Sequence, residues 1–225
     1  MTLLEQAGHK VIAPDLPSHG KDKTPISKVT LQSYADCVGE ILIEMIEAVI
    51  LVGHSMGGIV ITQAAEQCPD KIEKLVYLCA FLPGNGASLM DWAQQDPESL
   101  VSQNMIVSKD RSYFLLKDEA IGEAFYGDCS AEDAAKSKLL LCPQAAAPFP
   151  TPVNTTAENF GRLQRFYIEC LQDRAILISL QRRMQAALPC QQVMTMNTSH
   201  SPFLSHPEAL VNHLISLSSE SPMAL

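Results

Sequence analysis

The chain has 225 residues, 47% of them hydrophobic and 18% charged, so it is long enough to bury one sizeable core. The net charge of −9 and the isoelectric point near 5.1 argue against binding to nucleic acid or to anionic membrane surfaces. No apolar run is long enough to span a bilayer, and the first ten residues lack the pattern of a secretory signal.

The first part of the chain, residues 1–83, alternates helical and strand patterns. In chain order we predict a helix over 2–7 capped by Gly8, a strand over 9–13, a helix over 31–47, a strand over 48–52, a helix over 59–68 and a strand over 74–79. The strand over 48–52 is a continuous apolar run, which is typical of a strand buried on both faces. The alternation indicates an α/β fold, with a mostly parallel sheet and helices on both faces.

The alternation stops after Pro83. Residues 84–163 are richer in polar residues, and we predict two short helices there, over 131–141 and 155–163. Each begins with a capping-box pattern, at Ser130 and at Thr155. We interpret residues 84–163 as a lid inserted into the sheet domain.

The alternation resumes after the insertion. The predicted elements are a strand over 165–170, a helix over 176–187, a strand over 191–196 and a helix over 207–217. The sheet domain therefore consists of two parts, 1–83 and 164–225.

The seven cysteines are scattered, odd in number and never spaced C-x-x-C. Most lie in apolar segments, which is typical of reduced thiols in the core of a cytoplasmic protein. A zinc site requires clustered cysteine or histidine, and the sequence shows no such cluster, so we expect no metal site.

Residues 51–58, LVGHSMGG, lie between a predicted strand and a predicted helix. A G-x-S-x-G pattern in that position is a nucleophile elbow, which lifts the hydroxyl of Ser55 above the sheet. We expect side chains at Gly53 or Gly57 to collide with the neighbouring strand or helix, and Gly58 to let the helix lie close to the sheet. The alternative is a tight strand-to-helix turn with an incidental serine.

A serine nucleophile needs a histidine as base and a carboxylate that fixes the histidine tautomer. In this fold class both lie on loops after strands, in the chain order serine, acid, histidine. Asp173 follows the strand over 165–170, and His200 follows the strand over 191–196. The alternative for Asp173 is that it only caps the next helix.

Other acids and histidines fit the pattern less well. Glu169 lies within a strand, Asp91 and Asp96 lie in the lid, and His206 is expected near a helix start. His54 is expected to point away from the top of the sheet and to be structural. No matching acid or loop accompanies the remaining histidines, which are His9, His19 and His213.

Five stretches together resemble the α/β-hydrolase group of plant methylesterases, hydroxynitrile lyases and their bacterial carboxylesterase relatives. They are AGHKVIAPDLPSHG, LVGHSMGGIVI, KLVYLCAFLPGNG, RFYIECLQDRAI and NTSHSPFLSHPEAL. The resemblance implies a triad of Ser55, Asp173 and His200. It further implies ester hydrolysis through an acyl-serine intermediate, with no cofactor.

The lyases of this group have a lysine immediately after the catalytic histidine, where it handles the cyanide leaving group. This chain has Ser201 at that position, followed by Pro202. The absence of the cation favours an esterase over a lyase, because stabilising an anion in a dry site is a large energetic term.

The resemblance also implies an amino-terminal strand and a His-Gly-rich turn that are not found before Thr2 in this sequence. That turn supplies one of two oxyanion donors, and the backbone N–H of Met56 supplies the other. We therefore expect either weak ester hydrolysis, faster with an upstream segment added, or a non-catalytic binding paralogue. An exposed sheet edge also predicts association, with a homodimer as one form.

The expected partner is a small hydrophobic or aromatic ester bound between the sheet and the lid. Its candidate walls are Phe81, Leu82, Trp92 and Phe203, each of which has plain core packing as the alternative.

Overall fold

The computed structural model describes residues 1–219. Its strands are, in chain order, β1 (Val49–His54), β2 (Ile72–Leu78), β3 (Met105–Val107), β4 (Tyr113–Leu116), β5 (Gln144–Ala145), β6 (Gln164–Cys170) and β7 (Gln192–Met196). Its α-helices are α1 (Thr2–Gln6), α2 (Leu31–Glu44), α3 (Gly57–Gln67), α4 (Leu89–Ala93), α5 (Leu100–Asn104), α6 (Asp118–Tyr126), α7 (Ala131–Lys138), α8 (Ile178–Ala187), α9 (Pro202–Ser205) and α10 (Pro207–Ser219). Short 3₁₀ turns occupy Ile26–Lys28, Pro69–Lys71 and Phe160–Arg162.

The main sheet is parallel, with the strand order β1-β2-β6-β7. Strand β2 lies inside the sheet, and all of its residues except Glu73 are buried. Its side chains alternate between two apolar clusters, since Leu75 and Tyr77 belong to one and Val76 and Leu78 to the other. Helices therefore cover both faces of the sheet, and the predicted parallel α/β architecture is confirmed.

The predicted strand over 9–13 is wrong. This segment is a connection without strand pairing, and Ile12 is exposed. A strand requires a neighbouring ladder of hydrogen bonds, and in the described residues β1 pairs with β2 only. The apolar residues of 9–13 thus lack the partner that would make them a strand.

Residues 84–163, here called the cap segment, contain four helices and a second sheet. That sheet is antiparallel, with the order β3-β4-β5. The helix predicted over 131–141 is present as α7, with the Ser130 hydroxyl accepting a hydrogen bond from the Asp133 amide at 3.0 Å. The boundaries of the cap segment stay a prediction.

The helix predicted over 155–163 is wrong. Instead of an intrahelical ladder, the amides of Thr156 and Phe160 donate to the Glu66 carboxylate of α3, at 2.8 and 3.2 Å. A single 3₁₀ turn is all that forms, because this carboxylate takes the amides that would begin a helix.

Among residues 1–219, no helix combines the length and the hydropathy that crossing a bilayer requires.

Candidate active site

The turn between β1 and α3 carries Ser55 in a left-handed backbone conformation, with φ at 55°. A side chain at Gly53 would place its Cβ atom 2.7 Å from the carbonyl oxygen of Gly57. At Gly58 the same atom would lie 2.0 Å from the carbonyl oxygen of Phe81, in the segment after β2. Both glycines are therefore required by close backbone approach, as expected of a nucleophile elbow.

The expectation for Gly57 is wrong, since a Cβ atom there would meet nothing within 4 Å. It stands at the first position of α3 and faces open space. The turn is instead held by backbone hydrogen bonds, in which the Ser55 carbonyl accepts from Phe81 at 3.0 Å and the Ser55 amide donates to Leu78 at 3.3 Å.

Asp173 lies in the loop between β6 and α8, and its side chain is fully buried. One carboxylate oxygen accepts the amides of Ala175 and Ile176 at 2.7 and 2.9 Å. The other accepts the Gln181 side-chain amide at 3.2 Å and the Nδ1–H of His200 at 2.7 Å. Asp173 thus organises its own loop and orients a histidine. It does not cap the next helix, because α8 begins at Ile178 with Leu177 as its N-cap and has no side-chain cap.

His200 follows β7 and has only 2% of its side chain exposed. Because Nδ1 donates to Asp173, Nε2 is the ring nitrogen that can accept a proton. The backbone carbonyl of His200 accepts the Nε2–H of His54 at 2.7 Å and the thiol of Cys79 at 3.5 Å. His200 is therefore held by its side chain and by its main chain.

The contacts of His54 fit the expected structural role, and they place its ring against His200. Its ring packs on the His200 ring with 4.5 Å between centroids, and Phe203 packs on its other side at 5.1 Å. Burial, and then the proximity of His200, lower the pKa of His54 to about 3. In its neutral form the His54 ring carries its one proton on Nε2, where it forms the hydrogen bond to the His200 carbonyl. His54 directly precedes Ser55 in the chain.

Three possible metal-binding side chains, His54, Cys79 and His200, meet beside the triad, with ligand atoms within 4.8 Å of one another. This cluster was not predictable from the sequence, because its members are far apart in the chain. Burial raises the pKa of the Cys79 thiol well above its usual range, and a protonated thiol is a poor metal ligand. The positions of His54 and Cys79 are better explained by their hydrogen bonds to the His200 carbonyl than by binding of a metal ion.

A cavity of about 850 Å³ opens above the elbow, with Ser55 and Met56 in its lining. Most other lining side chains are apolar and come from the cap segment, among them Ile121, Phe125 and Phe149. Such a cavity suits an apolar ligand that reaches the serine hydroxyl.

Of the four predicted wall residues, Phe81 lines this cavity. The other three do not, for reasons of packing. Leu82 is fully buried in the core, Trp92 packs against the same core, and Phe203 contacts His54 instead. The sequence could not separate wall from core, because both use the same residue types.

The rival carboxylates have other partners. Glu169 binds Arg182 at 2.9 Å, and Asp91 accepts the Ser88 amide at the start of α4, at 2.8 Å. Asp96 is buried in the cavity lining and accepts the Leu177 amide at 2.9 Å. Within the described residues, Asp173 is the acid hydrogen-bonded to His200.

Among the rival histidines, His19 lines the cavity, and its Nε2 lies 3.3 Å from the side-chain oxygen of Gln144. Its loop, rich in proline and glycine, gave no sign of this position. His206 is half exposed, with Nδ1 3.6 Å from an oxygen of Asp128.

Residues 1–213 of this chain match the sequence model of the alpha/beta hydrolase family. A pyrethroid hydrolase of Sphingobium wenxiniae is 33% identical, over 92% of this chain and 77% of that protein. A putative chloroplastic methylesterase 15 of Arabidopsis thaliana is 31% identical over 99% of this chain, which spans about half (53%) of its length. The crystal structure of a pyrethroid hydrolase from Sphingobium faniae superposes with a TM-score of 0.88, at 29% identity, covering 98% of this chain and 90% of that one.

Proposed function

The chain belongs to the alpha/beta hydrolase family, and from that premise we propose that it is a serine hydrolase of carboxylic esters. Two observations carry the proposal: the 2.7 Å hydrogen bond between the buried side chains of His200 and Asp173, and a strained serine at the elbow that lines a large apolar cavity. Relatives named as methylesterases and as a pyrethroid hydrolase support the same reaction type.

The reaction begins when the Ser55 hydroxyl attacks the ester carbonyl and Nε2 of His200 takes its proton. Asp173 holds the imidazole in the required tautomer and stabilises the imidazolium that forms. His200 then protonates the leaving alcohol, and an acyl-serine remains. Water attacks the acyl group with the same base, which releases the acid and restores Ser55.

The oxyanion formed at each step requires hydrogen-bond donors. The backbone N–H of Met56 is one, since it follows the nucleophile at the amino end of α3, where backbone donors and the helix dipole favour negative charge. Loss of one such donor reduces turnover on the order of 10²- to 10³-fold.

The proposed substrate is an uncharged hydrophobic or aromatic ester. Leu116, Ile121 and Phe149 are among the apolar side chains that line the cavity and would contact such a molecule. The volume of about 850 Å³ lies in the range of pockets that bind drug-sized ligands, so the substrate need not be small.

A lyase reaction on the same triad would need a cation beside the leaving group. Ser201 occupies the position after His200 and is buried at the start of α9. The geometry therefore favours hydrolysis.

A panel of p-nitrophenyl esters tests the proposal, with a cyanohydrin substrate in parallel. We expect ester hydrolysis, labelling by a fluorophosphonate probe, and loss of both in Ser55→Ala. A folded wild-type protein that neither reacts with the probe nor hydrolyses any ester would refute the function and favour a binding protein. Cyanohydrin cleavage without ester hydrolysis would instead favour the lyase.

We also propose a cytoplasmic location and a homodimer. The seven cysteines are free, which suits a reducing compartment. Strand β1 pairs on one side among the described residues, and the exposed Val52 lies on it. Cell fractionation tests the first proposal, and light scattering coupled to size exclusion tests the second; a periplasmic pool or a monomer would contradict them.

A further inference from the structure

The cap segment contacts the loop of the catalytic base through Asp128, which lies just after α6. Its carboxylate accepts the Ser199 amide at 3.0 Å and also accepts the Ser199 hydroxyl. The Asp128 amide donates back to the Ser199 hydroxyl at 3.4 Å. Since Ser199 immediately precedes His200, three hydrogen bonds join the cap segment to the neighbour of the base.

The Asp128 carboxylate remains charged in this contact. Its side chain is 17% exposed, and Ser199 is 3% exposed. Burial alone would raise the pKa of Asp128, but the hydrogen bonds from Ser199 and Ser205 lower it below its usual range. Hydrogen bonds to an ionised acceptor are the stronger kind, so this contact restrains Ser199 more than a neutral pair would.

Neighbouring residues bring the same stretch of backbone against the histidine loop. A Cβ atom built at Gly127 would lie 3.6 Å from that of Ser199. The ring of Phe125 lies 5.6 Å from the ring of His200 and lines the substrate cavity. The residues from Phe125 to Asp128 thus touch both the space for the ester and the loop of the base.

We propose that Asp128 is a positioning residue, which acts from the cap segment to hold Ser199 and thereby the imidazole of His200. The inference rests on the proposed function. From the sheet side, Asp173 and His54 restrain His200. Asp128 supplies the restraint from the opposite side, so the geometry of the base depends on where the cap segment lies.

The effect on turnover follows from this placement. A base must be held within a fraction of an ångström of its productive geometry, whereas ester binding depends mainly on the apolar cavity. Removal of the Asp128 carboxylate therefore changes kcat and leaves KM nearly unchanged.

Three variants and a matched control test the proposal. Asp128→Ala removes all side-chain hydrogen bonds to Ser199, Asp128→Asn retains an oxygen that accepts the Ser199 amide, and Ser199→Ala removes the hydroxyl. The control is Asp133→Ala, in the same segment, because Asp133 bonds to Ser130 at the start of α7.

We expect Asp128→Ala to lower kcat about 10- to 100-fold, with KM within about twofold of wild type. Asp128→Asn should recover part of that loss, and Asp133→Ala should retain wild-type kcat. The double variant of Asp128→Ala and Ser199→Ala should lose less than the two single losses combined, because both changes remove the hydrogen bond from the Ser199 hydroxyl to the Asp128 carboxylate. Wild-type kcat in Asp128→Ala, an equal loss in Asp133→Ala, or additive losses in the double variant would each overturn the proposal.

Hydrogen exchange gives a readout that does not depend on turnover. The peptide containing Ser199 and His200 should exchange faster in Asp128→Ala than in wild type, while the peptide containing Asp173 should be unchanged. Equal exchange of the first peptide in the two proteins would refute the restraint itself. If the wild-type protein hydrolyses no ester, the proposed function fails, and hydrogen exchange still decides whether Asp128 holds the loop.

Discussion

The two sides of the candidate site use different kinds of side chain. On the sheet side, Asp173, His200 and His54 are joined by hydrogen bonds of 2.7 Å, and Gln181 completes the shell of the carboxylate. On the cap side, most lining residues are aliphatic or aromatic and make few directional contacts. Asp128, which holds Ser199, is the polar exception on the cap side. Otherwise the sheet side fixes atoms, whereas the cap side encloses a volume.

This difference separates two kinds of effect. A hydrogen-bonded atom that moves by half an ångström loses its function, so changes on the sheet side should slow every substrate alike. An apolar wall contributes roughly in proportion to the area it covers, so changes there should depend on the size of the ester. The comparison can be tested by changing one side at a time.

The largest effect is expected from Asp173→Asn. The amide keeps an oxygen that can accept the amides of Ala175 and Ile176 but loses the charge that holds His200 in its tautomer. We expect kcat to fall on the order of 10³- to 10⁴-fold for large and small esters alike. Initial rates at saturation measure it, with circular dichroism to verify the fold. Asp96→Asn is the matched control, and an equal loss there would contradict the assignment of the acid.

His54→Phe should have an intermediate effect. It keeps an aromatic ring against His200 and Phe203 but removes the donor to the His200 carbonyl. The His200 carbonyl then keeps only the weak thiol donor of Cys79. Loss of the stronger buried hydrogen bond costs about 1–2 kcal/mol, so we expect kcat to fall about 5- to 30-fold with KM little changed. Parallel kcat and KM measurements on Phe203→Leu provide the control. Unchanged kcat in His54→Phe would show that the His200 main chain needs no support from this side.

The pH dependence of stability reports on the same residue. The folded-state pKa of His54 is about 3, well below the ordinary 6.5, so the unfolded chain binds a proton below pH 6.5 that the folded protein excludes. The free energy of unfolding should therefore fall as the pH decreases from 6.5 towards 3. Above about pH 7, His54 has no such effect on the free energy of unfolding. Between pH 7 and pH 5 the loss from this group is about 2 kcal/mol. Urea unfolding measures it, and an identical acid slope in His54→Phe would contradict the prediction.

The smallest effect is expected on the cap side. Leu140 lines the cavity and is 83% exposed, so it covers part of a large ester but none of a small one. We expect Leu140→Ser to lower kcat/KM for p-nitrophenyl octanoate about three- to tenfold and to leave the acetate unchanged. Ile46→Ser, at a residue 99% exposed elsewhere, is the control. An equal loss of kcat/KM for the two esters would show that Leu140 affects the reaction itself and not only the binding of the longer acyl chain.

The elements of the main sheet were predictable because each carries a local pattern. The apolar run that became β1 and the glycines around Ser55 required no distant information. The segment over 9–13 has an equally good pattern, but a strand also needs a neighbour, which local sequence does not reveal. The capping-box pattern at Thr155 failed for a similar reason, since the Glu66 carboxylate that takes the amides lies about 90 residues away.

The supports of the triad were the least predictable part of the site. Ser55, Asp173 and His200 follow from a motif and from their places after strands. His54 and Asp128 act through contacts with residues far along the chain, whereas Gln181 bonds to Asp173 in the loop just before its own helix. None of the three belongs to a pattern that names its partner. The cavity residues were difficult for another reason, because an apolar side chain looks the same whether it faces a ligand or the core.

The left-handed backbone at Ser55 has a consequence for the evolution of the fold. A residue with a β-carbon held in that conformation costs about 1–3 kcal/mol, and Gly53 and Gly58 permit the close backbone approach that the turn needs. A glycine in place of the serine would relieve that strain and remove the hydroxyl in the same change. Selection for thermal endurance alone would thus favour losing the serine hydroxyl, so at this position activity and folding free energy pull in opposite directions.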